Sequence, residues 1–206
     1  MTNYLIVTEN PNAKTWKFFK NSEFHKVIGI DNGAAFLIKK KIELDFIAGD
    51  FDNMSNSNRS LIDRYQGNTK YLNPDKDITD LEYVLSKIED EDCHITAYVK
   101  NDRMDHSLNQ LLVLHKYQNL KIISDNYEMY STSKKESFIE EDRYKYFGVF
   151  SFTDSKISID KAKYNVKQFI LDKNITSTSS NEWTNNEDAT LKVHKGKVIV
   201  VKNLKD

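Results

Sequence analysis

A chain of 206 residues holds one domain or two small ones, and either arrangement buries a real core. With 30 basic against 31 acidic residues the net charge is −1, which gives no electrostatic case for nucleic acid, and a single cysteine, Cys93, excludes an intrachain disulfide or a zinc cluster of its own. Met1 to Val7 lacks the basic-then-apolar pattern of a signal peptide, and no apolar run approaches the about 20 residues that cross a bilayer, so no membrane contact and a soluble, cytoplasmic protein are expected.

The first half alternates strand-like and helix-like segments. Tyr4 to Val7 reads as a buried strand, and Ala13 to Lys20 as a helix whose Trp16, Phe18 and Phe19 are core residues rather than a base-stacking site. Val27 to Ile30 is the next strand, followed by Asp31-Asn32-Gly33 and a short helix over Ala34 to Lys40. Phe46-Ile47-Ala48 is a third strand, ending abruptly in Gly49-Asp50-Phe51-Asp52. A polar segment runs through Arg64 to a strand near Lys70-Tyr71-Leu72. Leu81, Val84, Leu85 and Ile88 then recur at helical spacing, and Thr79 with Glu82 forms a capping box ahead of them. A strand over His94 to Val99 leads into a helix with Leu108, Leu111 and Leu112 on one face. Such alternation predicts a parallel sheet flanked by helices.

After about Tyr117 the texture changes. Short strands are predicted at Lys121 to Ser124, Ser137 to Glu140, Tyr146 to Phe152, Lys156 to Ile159, Lys167 to Leu171, Ala189 to His194 and Lys197 to Val201, with Lys195-Gly196 as a hairpin tip. No intervening segment has helical periodicity, which predicts an antiparallel sandwich or barrel. The expected division is an α/β domain over 1–118 and an all-β domain over 119–206.

The acids carry the functional signal. Two carboxylates as close as Asp50 and Asp52 repel, and a shared proton or a bound cation must offset that. In an extended backbone both face one side and Phe51 the other, while Gly49 lets a ligand or neighbouring backbone approach. Ligands of parallel α/β sheets bind outside the carboxyl ends of the strands. Four successive strand exits here are acidic: Asp31; Asp50 and Asp52; Asp75 and Asp77; Asp102 and Asp105. That concentration of charge calls for a hard cation of the Mg²⁺ type with a polyphosphate, and Lys76 and Arg103 stand among the acids to neutralise phosphate oxygens.

Taken in order, Asp31-Asn32-Gly33-Ala34, Gly49-Asp50-Phe51-Asp52-Asn53, Asp75 to Glu82 and Arg103-Met104-Asp105-His106 resemble the motifs of the thiamin pyrophosphokinase family. Ala162-Lys163-Tyr164-Asn165-Val166 and Ser179-Ser180-Asn181-Glu182 extend the likeness through the second half. The resemblance implies an α/β nucleotide-binding domain, a β-sandwich thiamin-binding domain and a homodimer. It also implies transfer of a diphosphate from ATP, the co-substrate, to the hydroxyethyl group of thiamin. Asn101-Asp102 stands where the family carries Gly-Gly, and Asn32 where a second Gly is common; Asn and Asp tolerate a left-handed backbone, so the turns are expected to survive.

By that resemblance Mg²⁺ is held by Asp50, Asp52 and Asp80, with Asp31 either in the metal shell or a turn residue. Lys76 and Arg103 stabilise the polyphosphate, Thr79 caps its helix and in addition contacts nucleotide, and either Asp77 or Asp105 accepts the hydroxyl proton. Trp183 is expected to stack on cationic thiamin in a loop closing the pocket across a dimer interface, with Ser180 or Asn181 as hydrogen-bonding partner; the alternative is a Trp folded over the sandwich core. His106 and Cys93 are left out of the chemistry. The rival functions are a sister pyrophosphokinase acting on another heteroaromatic alcohol, such as a hydroxymethylpterin, and an Asp-x-Asp glycosyltransferase.

Overall fold

Parallel pairing dominates the first half of the chain, seen in a computed structural model that describes residues 1–90, 92–100, 103–140, 144–172, 178–185 and 187–204. Strands β1 (Thr2–Val7), β2 (Lys26–Ile30), β3 (Phe46–Gly49), β4 (Thr69–Tyr71) and β5 (Cys93–Tyr98) alternate with helices α1 (Ala13–Lys20), α2 (Asp31–Lys39), α3 (Asn56–Arg64) and α4 (Asp80–Ser86). The strand order is β4-β3-β2-β1-β5, every pair parallel, so all carboxyl ends leave at one edge. Each βα unit has a local cause. Asn12 caps α1 by accepting from the Thr15 N–H at 2.8 Å, and Thr79 caps α4 by accepting from the Glu82 N–H at 3.3 Å, as the capping box predicted. Leu81, Val84 and Leu85 are buried along α4. Trp16 meets Phe36 edge-on, with centroids 5.0 Å apart, and Phe19 is buried with Leu5, Leu37 and Tyr98, so the aromatic cluster is core.

α5 (Met104–Lys116) and β6 (Leu120–Ile123) precede the all-β part: β7 (Tyr127–Thr132), β8 (Ser137–Ile139), β9 (Tyr144–Phe150), β10 (Ser155–Asp160), β11 (Val166–Leu171), β12 (Ala189–Lys195) and β13 (Val198–Leu204). β13 lies antiparallel between β7 and β9, and a second antiparallel sheet runs β11-β10-β12-β8. Phe147, Val149, Ile157, Ile159, Leu191 and Val200 from the two sheets share one core, which makes this part a sandwich. The chain divides into two compact units, Met1–His106 with Ile122–Asp125 and Ser107–Lys121 with Asn126–Asp206.

Four local expectations are corrected. The polar stretch before Arg64 holds helix α3, capped by Ser55, which accepts from the Asn58 N–H at 3.3 Å. β7 is an additional strand. Lys195-Gly196 is not a hairpin tip: β12 and β13 belong to different sheets, and Gly196, at φ +83°, turns the corner between them beside Ser155. The buried residues of α5 are Gln110, Val113 and Leu114, while Leu108 and Leu112 are 57% and 59% exposed.

Inside the sandwich unit one carboxylate is buried with company. Glu128 on β7 stands directly opposite Lys202 on β13, with 2.8 Å between Lys202 Nζ and Glu128 Oε1. The Tyr144 hydroxyl donates to Glu128 Oε2 at 2.6 Å, and Lys121 lies 3.4 Å from Oε1. Burial pushes the Glu128 carboxyl up; the two ammonium groups and the Tyr144 hydroxyl outweigh it and hold the group below its ordinary value.

Candidate active site at the acidic strand edge

Asp31 is where the sequence signal becomes geometry. It is the first residue of α2, directly after β2, and takes a left-handed backbone at φ +46°. That conformation suits Asp, whose short side chain bonds locally. Its Oδ1 accepts from the Phe51 N–H at 3.3 Å. A Cβ on Gly49 would lie 1.9 Å from the same oxygen. Gly49, at φ +148°, is therefore required twice, by its backbone and by the carboxylate pressed against it. The left-handed turn thus falls on Asp31 and not on Asn32, a correction to the reading of that motif. Asn32 is helical, donating through Nδ2 to Glu9 Oε2 at 3.1 Å while its Oδ1 accepts from Asn58 Nδ2 at 3.0 Å.

The Asp50-Phe51-Asp52 segment is a turn beyond β3 rather than an extended continuation of it. Phe51 is left-handed at φ +56° and 1% exposed, packed with Ala34, Ala35, Ile47 and Ile62. Asp50 Oδ1 accepts from the Asp52 N–H at 3.2 Å. Asp50 is half-buried and Asp52 exposed, so Phe51 faces inward and both acids away from the core, by a tight turn and not by strand alternation. Arg59 Nη1 on α3 donates to the Phe51 carbonyl at 2.9 Å and its Nε to Asp63 at 3.2 Å.

Asp80, first residue of α4, completes the cluster. Lys76 Nζ lies 2.5 Å from Asp80 Oδ1 and donates to the Asn73 carbonyl at 3.2 Å. Asp80 Oδ1 is buried and, despite the nearby ammonium, receives no hydrogen bond of adequate geometry. Burial, then the charge of Asp80 and more weakly that of Asp50, push the Asp31 carboxyl up to about 7, against the pull of the Phe51 N–H. Two facing carboxylates thus have one lysine between them. Among the described residues no three His, Cys, Asp or Glu side chains already converge on one point. A cation here would take few protein oxygens, which fits Mg²⁺ with its retained waters and substrate phosphates better than a caged metal. The raised Asp31 carboxyl, set beside Asp80 and Asp50, is what such a cation would relieve.

The other predicted residues have surroundings of their own. Asp77 is exposed. Arg103 forks onto Asp105, with Nη2 2.6 Å and Nε 3.2 Å from the two carboxylate oxygens, and this bond holds the Asp105 carboxyl below its usual range. Asn101 and Asp102 lie outside the described residues. In the sandwich unit Ser180 is exposed and left-handed at φ +60°. Asn181 is buried; its Oδ1 accepts from the Tyr164 N–H at 2.9 Å and its Nδ2 donates to the Tyr164 carbonyl at 2.9 Å. Trp183 is half-buried, its Nε1 donating to the Ile139 carbonyl at 2.7 Å and its ring centroid 4.8 Å from that of Phe147. Sequence reading passed over Arg59 and Asn58; the Ser55 cap three residues before Asn58 was the available sign of their helix.

Residues 16–124 match the family model described as thiamin pyrophosphokinase, catalytic domain, and residues 136–198 the one described as thiamin pyrophosphokinase, vitamin B1 binding domain. Solved structures with this fold include thiamine pyrophosphokinase from Bacillus subtilis, at TM-score 0.83 and 22% identity over 100% of both chains. Thiamin pyrophosphokinase from Geobacillus thermodenitrificans aligns at TM-score 0.81 and 18% identity, over 100% of this chain and 99% of that one. The yeast enzyme aligns at TM-score 0.74 and 13% identity, over 99% of this chain and 86% of that one. No curated protein sequence matches the chain significantly.

Proposed function

Because the chain belongs to the thiamin pyrophosphokinase family, we propose that it transfers a diphosphate group from ATP to the hydroxyethyl oxygen of thiamin, giving thiamin diphosphate and AMP. The observation that carries this reading is Asp31, raised by burial and by the neighbouring acids Asp80 and Asp50 at the carboxyl edge of a parallel sheet, with Lys76 paired to Asp80. A polyphosphate with its cation supplies what that edge lacks.

Asp50, Asp80 and Asp31 are the residues that would hold Mg²⁺, with Asp52 at the exposed side of the same turn. The ion supplies charge neutralisation on the phosphate oxygens. Lys76 exchanges part of its contact with Asp80 for phosphate, and Arg103 offers the guanidinium now forked on Asp105. The Thr79 hydroxyl accepts from Glu82 and retains its proton for a phosphate oxygen. The thiamin hydroxyl oxygen bonds to the β-phosphorus as the bond from that phosphorus to the α,β-bridging oxygen breaks, and AMP leaves with the bridging oxygen. The hydroxyl proton goes to a carboxylate. Asp77, which is exposed, and Asp105, freed as Arg103 turns to phosphate, are the two carboxylates assigned to that task.

The match of residues 136–198 to a vitamin B1 binding domain favours thiamin over a hydroxymethylpterin as acceptor, and neither matched region supports a glycosyltransferase. Trp183 is packed against the sandwich core, the alternative reading of that residue, and in that domain Ser180 and the half-buried Trp183 ring are assigned to the thiamin, whose cationic ring suits an aromatic partner. Asn181, with its carboxamide bonded to Tyr164, shapes the loop carrying them. A cytoplasmic homodimer belongs to the same proposal; no helix among the described residues is long and apolar enough to cross a membrane. The deciding experiment incubates the protein with ATP, Mg²⁺ and thiamin and identifies the nucleotide released. AMP with thiamin diphosphate is expected. ADP with thiamin monophosphate overturns the diphosphate transfer, and turnover of a hydroxymethylpterin with none of thiamin overturns the acceptor.

A further inference from the structure

Phe51 is a bulky residue in a left-handed backbone, which its side chain resists. Two peptide groups flank it, and both are gripped. The N–H on one side donates to Asp31 Oδ1 at 3.3 Å. The carbonyl on the other side accepts from Arg59 Nη1 at 2.9 Å. That carbonyl shares its peptide plane with the Asp52 N–H, which donates to Asp50 Oδ1 at 3.2 Å. A planar trans peptide points its C=O and N–H in opposite directions. Arg59 therefore acts on Asp50 through a single rigid unit, with the guanidinium at one end and the carboxylate at the other. A cation on the carbonyl polarises the peptide and strengthens its N–H as a donor.

The guanidinium is itself oriented, since Asp63 one turn along α3 accepts from Nε at 3.2 Å. An ammonium would be a point charge unable to hold both partners in a fixed fork. The preceding residue braces the other acidic turn. Asn58 Nδ2 donates to Asn32 Oδ1 at 3.0 Å, and Lys39 Nζ donates to Asn58 Oδ1 at 2.6 Å, which secures the first turn of α2, where Asp31 stands. Adjacent residues of one helix thus reach both acid-bearing turns.

We propose that Arg59 is a positioning residue that sets the Asp50 carboxylate for its cation through the Phe51–Asp52 peptide, with Asn58 holding the Asp31 turn in register. This rests on the metal reading given above, and the two fail differently. The test uses the full chain without nucleotide and reads Mn²⁺ affinity by electron paramagnetic resonance, Asp52 amide exchange by NMR, and thermal stability. Arg59→Met keeps the stem and removes the fork. Its Asp52 amide is expected to exchange about tenfold faster, and its Mn²⁺ dissociation constant to rise about tenfold, the low end for loss of a group orienting a ligand. Arg59→Lys should recover only part of either. In turnover the Mg²⁺ requirement should shift upward while the rate at saturating Mg²⁺ falls much less. Should Arg59→Met fail to fold, Asp63→Asn loosens the fork without touching the turn and should raise the Mn²⁺ dissociation constant about threefold. A folded variant with Mn²⁺ affinity within twofold of the parent overturns the role of Arg59 and leaves the metal reading intact. A parent protein that binds no Mn²⁺ overturns the metal reading, and the positioning role with it.

Discussion

Asp31 in the α/β unit and Glu128 in the sandwich unit are both carboxylates drawn away from water, and their surroundings treat them oppositely. Glu128 receives the Lys202 ammonium, a second lysine and a tyrosine hydroxyl, and is held below its ordinary value. Asp31 receives one backbone N–H and faces two further acids, and is pushed up to about 7. The fold gives Glu128 cations inside the sandwich and sets Asp31 beside further acids at the strand edge. A carboxylate left short of partners is a poor contribution to stability and a good receptor for a cation.

The largest effect expected from this contrast is on catalysis. Asp50→Asn keeps the shape of the turn and removes a charge, so the protein should fold as well as the parent while turnover at saturating Mg²⁺ drops about 10³-fold or more. Steady-state rates beside a thermal melt check this, and near-normal turnover would reduce the acid cluster to a solvated turn. Next in size is Lys202→Met, which takes the 2.8 Å ammonium from the buried Glu128. Breaking one partner of a buried pair costs about 3–5 kcal/mol, readable as a shift of the urea midpoint, whereas Glu128→Leu combined with Lys202→Met should restore most of it. A stable single variant would mean that Lys121 and Tyr144 suffice.

The smallest effect is a pH dependence, and its sign is the opposite of the usual carboxylate case. Asp31 is raised in the folded state above its ordinary value of 3.8, so between about pH 4 and 7 the folded chain holds a proton that the unfolded chain has lost. Its contribution is complete below that window and is lost as pH rises through it, on the order of 2 kcal/mol once partial solvent exposure is allowed for. Unfolding free energy in chelator should therefore decline from pH 5 to pH 8 in the parent and less steeply in Asp31→Asn. Mg²⁺ should offset the decline in the parent alone. An equal slope in both proteins would remove Asp31 from the cluster.

The reach of the sequence follows the same division. Acids at successive strand exits were legible because parallel topology sends every carboxyl end to one edge, and topology followed from alternating periodicities. The left-handed residues Asp31 and Phe51 were not, since nothing local to either says that a distant Gly49 or Arg59 holds it there. α3 hid because its inward residues are few, with Asn58 and Ile62 the buried pair. β7 hid because its inward face includes Glu128, whose compensating Lys202 lies far along the chain. Lys195-Gly196 announced a turn, and no short pattern distinguishes a hairpin from a passage between sheets.

That passage has a consequence for how the chain is made. β13 is the strand that joins β7 to β9, yet it is synthesised after both and after the whole of the β11-β10-β12-β8 sheet. Until residue 204 has left the ribosome, β7 and β9 each expose a bare edge, and Glu128 awaits Lys202. In the α/β unit β2, β3 and β4 join the sheet in the order they are made, and the second edge of β1 waits only for β5. A nascent chain therefore passes through a stage in which a largely formed first unit trails a sandwich that cannot yet close, the interval in which edge-to-edge association competes with folding.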